Sequence, residues 1–455
     1  MPTNAELKKV LKPVHLWAIA VGLVISGEYF GWNYGWGIAG TIGFLIATVI
    51  VTVFYVTFIF SYTELTTTIP HAGGAFAYAY RSLGPVWGLI AGYATLVDFL
   101  LATPAIAAAL GSYIHFLYPG LPVIGSAMVF NLIFMLVNIW GVKESAVFSL
   151  VMTILAVLEL LVFMGLIGPH FKTVNYLHDA MPFGWSGVFA ALPFAVWFYL
   201  AIEGVAMVAE EVKEPKRNIP RGYISGIVTL VVLALGVMIL TGGITDWHKL
   251  SNIDYPLPQA IATVLGSSNS LTKVFAGIGL FGLIASFHGT IMASSRQLFA
   301  MARSGYLPKA LAVVSPKFKT PHWAIVLSVI ISFIALWSGQ TNQIITLSVM
   351  GAVLMYLLSM VSVFALRRKE PNLARPFASP FYPVFPAVAL ILSAVILIAI
   401  VYYDIRDHQG WLSLIFFGMM FVIAVGFVIT GKHRITQTDD VLLQPAEALL
   451  ENSAA

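Results

Sequence analysis

The sequence has no cysteine and very little charge. Because cysteine is absent from its 455 residues, disulfide bonds, thiol catalysis and cysteine-ligated metal sites are excluded. Only 10% of the residues are charged, whereas a soluble domain carries about 25%. This shortage of charge excludes a water-soluble protein of this length. The sequence also lacks a nucleophile-elbow motif and a metal-ligand motif, so we expect neither an enzyme nor a cofactor.

Hydrophobic residues take the place of the missing charge. They make up 59% of the chain, and the mean hydropathy is +0.90. Apolar stretches of roughly 18 or more residues recur, and each can cross about 30 Å of hydrocarbon as a helix. We therefore predict an all-α polytopic membrane protein whose partner is the lipid bilayer. Basic loops explain the net charge of +4, so no nucleic-acid partner is expected.

The apolar runs predict twelve transmembrane helices. Loop signals, mainly glycine, proline and charged residues, separate them. The predicted limits are 14–37, 39–66, 83–113, 122–140, 145–168, 187–209, 223–243, 271–302, 322–338, 342–366, 384–404 and 411–431. A tail of residues 1–13 precedes these helices, and a tail of residues 432–455 follows them.

The lysine and arginine residues predict the orientation. If the N-terminal tail is cytoplasmic, only Lys172, Lys249, Lys273 and Arg406 fall on the outer side. The other twenty of the 24 basic residues then fall in inner loops and tails. Inner loops of membrane proteins carry such an excess of positive charge. We therefore predict that both termini are cytoplasmic, in the inner (plasma) membrane of a bacterium.

Two of the predicted helices are interrupted at corresponding places. The first contains "ISGEYFG" at 25–31, and the sixth contains Pro193 followed by "YLAIEG" at 199–204. Each begins a five-helix half, 14–168 or 187–366, and the odd number of helices predicts that the halves are inverted. Membrane helices also carry glycine and proline without function, but two matching breaks, each with a carboxylate, favour a binding site. Such inverted repeats are typical of secondary transporters with a site near the bilayer midplane.

Three segments carry a family resemblance. They read "FYLAIEGVAMVAEEVKEPKRNIPRG" at 198–222, "IPHAGGAFAYAYRSLGP" at 69–85 and "GVKESA" at 141–146. Together they resemble the sixth-helix signature and two connecting segments of the amino acid–polyamine–organocation (APC) permeases. The segment "ISGEYFGWN" at 25–33 most resembles the ethanolamine permease branch. The resemblance covers nearly the whole chain and implies a leucine-transporter-type fold. In that fold five plus five helices form an inverted repeat, helices 1 and 6 are broken, and two helices, here 384–431, are added.

Four acidic residues lie well inside predicted helices, namely Glu28, Asp98, Glu159 and Glu203. No lysine or arginine shares their depth in the predicted map. An ionised side chain at the bilayer centre costs about 2.5–3.5 kcal/mol on insertion scales, so each of the four needs a reason. The excess of one sign favours protonation at rest, cationic ligands, or both.

Glu28 is the most informative of the four. Members of the superfamily that carry amino acids usually have a Gly-Ser-Gly type segment at the first break, and its free N–H groups bind the substrate carboxylate. This chain has Ser26, Gly27 and Glu28 there. A fixed carboxylate would repel a substrate carboxylate, so the departure favours an amine that has none. The alternative is that Glu28 only caps the free N–H groups.

The other three acids, together with His288, are candidates for coupling or structure. Glu203 occupies the acidic position of the sixth-helix motif, where it either attracts an ammonium group, serves as a protonatable gate, or bonds the unwound backbone. Many relatives carry a lysine near Glu159 that couples transport to protons, and here the sign is reversed. His288 is either a proton relay, since imidazole titrates near neutrality, or an interior histidine. Asp98 is expected to be a hydrogen-bonded residue of the bundle.

Aromatic residues surround both breaks. Tyr29 and Phe30 flank the first, and Trp197, Phe198 and Tyr199 flank the second. A desolvated ammonium gains about 2 kcal/mol from a good contact with an aromatic face. We expect one or two of these rings to close over the substrate.

These features predict a secondary transporter that takes up ethanolamine by alternating access, with protons as candidate coupling ions. The substrate-binding residues would include Ser26 and Gly27, with Ser26 as a partner for the substrate hydroxyl. An amino acid or polyamine permease of the same superfamily is the nearest alternative. An alternative of another class is a channel for small cations or ammonia.

Overall fold

The structure of the chain is a computed structural model that describes residues 9–140, 145–267 and 269–430. Residues 141–144 of the "GVKESA" segment, the C-terminal tail from residue 432 and most of the N-terminal tail lie outside the described residues, so the predictions for them are not addressed by the structure.

The described residues fold into sixteen α-helices, which confirms the predicted all-helical class. No β-strand occurs among them; one isolated bridge joins Leu11 to Val212. The helices are α1 (Pro13–Val24), α2 (Ser26–Tyr29), α3 (Tyr34–Thr68), α4 (Ala75–Leu83), α5 (Pro85–Leu117), α6 (Val123–Trp140), α7 (Ser145–Ile167), α8 (Thr173–Leu177), α9 (Gly184–Val196), α10 (Pro215–Gly242), α11 (Pro256–Leu265), α12 (Ser270–Arg303), α13 (His322–Leu336), α14 (Thr341–Lys369), α15 (Val384–Arg406) and α16 (Gly410–Thr430).

Each of the twelve predicted segments overlaps one or more of these helices. Within the described ranges, nine helices are long and apolar enough to cross a membrane, and α1–α2, α9, α11 and α13 are shorter apolar helices. The segments 14–37 and 187–209 contain no single long helix because both are interrupted. The start predicted at 223 is wrong, since α10 begins at Pro215. Proline is favoured in the first turn of a helix, where its missing N–H is not needed.

Gly40 marks the boundary between the first two predicted segments. Helix α3 runs through this point, but Gly40 has φ 69° and ψ −178°, which is not helical. The N–H groups of Ile42 and Gly43 donate to the Ala180 carbonyl, at 2.9 and 3.1 Å. A β-carbon on residue 40 would lie 2.6 Å from that oxygen. Glycine is therefore required, and the kink separates residues 34–39 from the long remainder of α3.

The interior of the bundle lies around α5, α12 and α14. In α5, 78% of the most apolar 18-residue window is buried, whereas in α6 and α16 the figure is 22%. The peripheral helices therefore present apolar side chains outward, as lipid-facing helices do. The two interrupted segments pack inside, against α5, α12 and α14, so that any site between them is shielded from the surroundings.

Candidate substrate site between two helix breaks

The first break comprises residues 25–33, between α1 and α3. Phe30 is extended, with φ −161° and ψ 171°, and Gly31 has φ 90°. The Asn33 side chain accepts a hydrogen bond from the Gly31 N–H at 3.0 Å and donates to the carbonyls of Leu250 and Ile253 at 2.6 and 2.8 Å. The unwound backbone is thus held by one amide side chain, which anchors the break to the loop before α11.

The second break comprises residues 197–203, after α9. The chain turns at Ala201, whose φ of 77° is in the left-handed region. It continues as a 3₁₀ segment from Ile202 to Glu211, ten residues long. Because 3₁₀ runs beyond three or four residues are uncommon and mark hinges or strain, this segment is an unusual way to complete a buried helix.

The structure brings the two breaks into direct contact. A β-carbon on Gly27 would lie 2.3 Å from the Trp197 carbonyl oxygen, so only glycine permits this approach of the two backbones. The rings of Phe30 and Trp197 meet edge to face with centroids 5.6 Å apart. Trp32 stacks on Phe198 at 5.4 Å. Of the aromatic residues predicted for the site, Phe30, Trp197, Phe198 and Tyr199 therefore lie in ring contacts at the two breaks, whereas Tyr29 is held by hydrogen bonds.

Glu28 is buried at the first break, and its carboxyl group has no hydrogen-bonding partner among the described residues. The residue is 0% exposed, and neither carboxyl oxygen accepts a hydrogen bond from any described residue. Its backbone is satisfied, since the N–H donates to the Ile25 carbonyl at 3.0 Å and the carbonyl accepts from Trp32 Nε1 at 3.1 Å. The alternative that Glu28 caps free N–H groups has no hydrogen bond to support it. The carboxyl is left available to a partner that the described residues do not provide.

Tyr199 connects the second break to α3. Its hydroxyl is 2.7 Å from Thr52 Oγ1, and its ring lies 5.1 Å from that of Tyr55. Glu28 is near enough to interact electrostatically with Tyr199 and with Tyr29, one tyrosine from each break.

Glu159 joins the first break from α7. Tyr29 Oη donates to Glu159 Oε2 at 2.7 Å and lies 3.1 Å from the Ala156 carbonyl oxygen. Tyr113 of α5 donates to the Tyr29 carbonyl at 3.2 Å. The other oxygen of Glu159 faces Gly279 of α12, where an added β-carbon would lie 3.0 Å away. Glu159 thus fixes Tyr29 to α7.

Ser286 of α12 supports the first break from a second direction. Its hydroxyl accepts from the Ser26 N–H at 2.9 Å and donates to the Gly22 carbonyl at 2.7 Å. One hydroxyl therefore replaces the helical bond that is lost where α1 ends. The predicted contact of the Ser26 hydroxyl with substrate stays a prediction.

Glu203 has partners from three other elements. Tyr356 of α14 donates to Glu203 Oε2 at 2.8 Å, and Tyr223 of α10 donates to the Glu203 carbonyl at 3.3 Å. The carboxyl of Asp98, on α5, is in hydrogen-bonding contact with that of Glu203. Asp98 is also bonded to Ser348 of α14, which confirms that it is a hydrogen-bonded residue of the bundle.

His288 does not join the site residues through its ring contacts, which lie on α6 and α7. Its Nδ1 is 3.1 Å from Asn138 Nδ2, and its ring packs against Phe134 and Phe148. No group of three or more potential metal ligands occurs in the described parts of the chain.

The end of the site near the N-terminus is closed. The N–H groups of Val10 and Leu11 donate to the Glu211 carbonyl at 2.9 and 3.0 Å, and Lys213 N–H donates back to Leu11 at 3.0 Å. Arg296 of α12 pairs with Glu211 at 2.8 Å. The residues before α1 and the end of the 3₁₀ segment are therefore tied together and to the scaffold.

Sequence reasoning missed two kinds of hydroxyl group. Tyr356 and Ser348 bond the acids Glu203 and Asp98, and Tyr113 and Ser286 bond the backbone of the first break. Each lies within a long apolar run, where an isolated hydroxyl normally bonds its own helix backbone. The available sequence signal was the isolation of each hydroxyl in an apolar run. This signal does not identify the hydrogen-bonding partner, because the partners are distant in sequence. Tyr356 and Glu203, for example, are 153 residues apart.

Comparisons with known proteins agree with this architecture. The sequence profile of the amino acid permease family matches residues 11–427. An uncharacterised transporter of Rhizobium meliloti is 32% identical, with 86% of each chain covered. A methylthioribose transporter and a branched-chain amino acid permease, both of Bacillus subtilis, are 29% and 25% identical and cover 83% and 82% of each chain. The chain therefore belongs to the amino acid permease family of the APC superfamily, which consists of transporters.

Proposed function

We propose that this permease takes up a small primary amine without a carboxylate, with ethanolamine as the substrate of choice. The single observation that carries the proposal is the Glu28 carboxyl, which is buried at the contact of the two breaks and has no partner among the described residues. A buried carboxylate is stable when it is paired with a cation and hydrogen-bonded. An ammonium group supplies both.

The aromatic cluster suits the same ligand. The faces of Phe30, Trp197 and Phe198 border the breaks, and a desolvated ammonium gains about 2 kcal/mol from such a face. The backbone carbonyls freed by the unwound segments add partial negative charge. A substrate carboxylate would meet Glu28 instead of free N–H groups, so a zwitterion is disfavoured.

The relatives leave the substrate open. One bears the name of an amino acid substrate and another the name of methylthioribose. Family membership therefore does not require an amino acid as cargo. Because one of these relatives is named as an amino acid permease, amino acid transport is the second candidate function for this chain.

Transport would proceed by alternating access. We propose that the two broken segments and the helices that follow them, α3 and α10, rock against the remaining helices. In this proposal the chain has twelve spans, two inverted five-helix halves and cytoplasmic termini. An inside-negative potential favours entry of a cation by about 2.3 kcal/mol per 100 mV, which drives uptake of an amine.

The substrate is tested in proteoliposomes by counterflow of radiolabelled ethanolamine. We expect saturable counterflow that unlabelled ethanolamine inhibits and alanine inhibits at least tenfold more weakly. Equal inhibition by alanine would show an amino acid permease, and ethanolamine flux without counterflow would show a channel.

The topology is tested by cysteine labelling in the native sequence. Because the chain has no cysteine, single substitutions report without background. We expect an impermeant maleimide applied to intact cells to label Lys172→Cys and not Lys319→Cys. The reverse pattern would refute cytoplasmic termini.

A further inference from the structure

A second acidic site lies on the other break, where two buried carboxyl groups meet. Asp98 of α5 and Glu203 of the 3₁₀ segment are 0% and 1% exposed. Their carboxyl groups touch. The touching pair has two oxygens, Asp98 Oδ2 and Glu203 Oε1, that accept no hydrogen bond from a donor in the described chain.

The hydrogen-bond donors around the pair are too few for two negative charges. Tyr55 donates to Tyr356 at 3.1 Å, and Tyr356 donates to Glu203 Oε2 at 2.8 Å. Ser348 Oγ is 2.9 Å from the Asp98 carbonyl oxygen and 3.2 Å from Asp98 Oδ1. A hydroxyl has one proton to donate, so Ser348 serves one of these acceptors at a time. Two adjacent carboxylates with so few donors cannot both ionise, as in the carboxyl pair of aspartic proteases.

The surroundings provide no compensating positive charge. The titratable groups that act on the pair are tyrosines: Tyr55 and Tyr62 of α3, Tyr223 of α10, and Tyr356 of α14. None of the groups that act on either carboxyl within the described chain is basic. Helix α1 meets the segment through Leu23, which packs at Gly204.

We propose that Asp98 and Glu203 form a proton-binding site in which one proton is held between Asp98 Oδ2 and Glu203 Oε1. The proton links α5, part of the rigid interior, to the 3₁₀ segment of the second break. When the segment moves and the pair separates, each carboxyl loses its partner and the proton passes to water on the open side. Substrate transport is thereby coupled to proton movement.

The position of Glu203 explains why a proton would control the break. It follows Ala201, which is held in the left-handed region, and begins a ten-residue 3₁₀ run. Since a 3₁₀ helix rises about 2.0 Å per residue and an α-helix about 1.5 Å, conversion of this run would shorten it by about 5 Å. The shared proton holds the start of the segment in the extended form.

The presence of a proton shared by Asp98 and Glu203 is tested by infrared difference spectroscopy on the purified full-length protein at neutral pH. We expect one protonated-carboxyl C=O band that is lost or shifted in both Asp98→Asn and Glu203→Gln. The same band should shift in Tyr356→Phe and Ser348→Ala, which keep both acids. Asp404→Asn, at a buried acid of α15 that bonds Ser413, should leave it unchanged. Absence of this band, or two bands lost in the double variant, would overturn the proposal.

Coupling is tested in proteoliposomes with radiolabelled ethanolamine and, separately, alanine as the probe. One pH unit corresponds to about 1.4 kcal/mol, or about tenfold accumulation for one proton per substrate. We expect this response in the wild type and its loss in both amide variants, with counterflow retained in Asp98→Asn. A response that persists in both variants would overturn coupling through the pair. If neither probe is transported, the proposed substrate fails while the infrared result still decides the proton site.

Discussion

The two helix breaks carry one buried carboxylate each and treat it in opposite ways. At the first break, Glu28 has a satisfied backbone and an unpartnered carboxyl. At the second, Glu203 is bonded by Tyr356 and touches Asp98. A buried acid that the protein leaves unpartnered is suited to a partner that comes and goes. A buried acid inside a network is suited to a proton, which needs no space.

The supporting contacts follow the same division. The first break is held through Asn33, through the Ser286 hydroxyl at Ser26 and through Tyr29, and none of these contacts engages the Glu28 carboxyl in the described residues. The second break is held at Glu203 itself. The difference shows how two similar interruptions in one bundle can serve a substrate and an ion separately.

The largest expected effect separates the two acids by their role in binding. Glu28→Gln removes one partner of a buried ion pair, which costs about 3 kcal/mol or more, so the Kd for ethanolamine should rise more than about a hundredfold. Glu203→Gln should raise it less than about tenfold, because that carboxyl is already partnered. Isothermal titration calorimetry measures both, with Asp404→Asn as the control. Equal increases in Kd for the Glu28 and Glu203 variants would contradict different roles for the two breaks.

The contact between the breaks is probed by Gly27→Ala. The added methyl would lie 2.3 Å from the Trp197 carbonyl oxygen, and overpacking of this kind costs about 1–3 kcal/mol. We expect the free energy of unfolding, measured by thermal unfolding, to fall by an amount near the top of that range. We also expect loss of counterflow. Gly165→Ala is the matched control, because nothing lies within 4 Å of its added methyl in the described chain. A Gly27 variant as stable and active as this control would mean that the breaks do not touch.

The network at the second break is probed by Tyr356→Phe. The change removes the hydroxyl that donates to Glu203, and a hydrogen bond to a charged group contributes about 1.5–3 kcal/mol. We expect thermal stability to fall by about 2 kcal/mol. Tyr113→Phe, which removes only a bond to the Tyr29 carbonyl, should cost about 1 kcal/mol. If Tyr113→Phe lowered stability more than Tyr356→Phe, the stronger hydrogen-bond network would lie at the first break instead.

Much of this architecture could be predicted from the sequence, because hydrophobic length and backbone-breaking residues act locally. Long apolar runs predicted segments that all overlap observed helices. Glycine, proline and the acidic residues within apolar runs predicted that residues 25–31 and 199–204 interrupt them. The start of α10 was missed by eight residues, because Pro215 and the charged residues after it are compatible both with a loop and with a first helical turn.

The site could be predicted only in part, because its decisive contacts are long-range. Glu28 and Glu203 were identifiable as charges in apolar surroundings. The number of hydrogen-bonding partners of each carboxyl depends on which helices pack beside it. Among the described residues, Glu28 has none and Glu203 has several. The contact of Asp98 with Glu203 joins α5 to a segment more than one hundred residues later, and no local pattern encodes such a pairing.

The smallest expected effect tests whether the backbone is strained at the second break. Ala201 has φ 77°, a conformation that costs a residue with a β-carbon about 1–2 kcal/mol and glycine almost nothing. Ala201→Gly should therefore raise thermal stability by about 1 kcal/mol, once the greater freedom of glycine in the unfolded chain is included. Ala195→Gly, inside α9, should lower stability by about 1 kcal/mol. If the strain favours movement of the 3₁₀ segment, the Ala201 variant will also exchange substrate more slowly in counterflow. A loss of stability equal to that at Ala195 would show an unstrained turn, and the second break would then depend on its carboxyl pair alone.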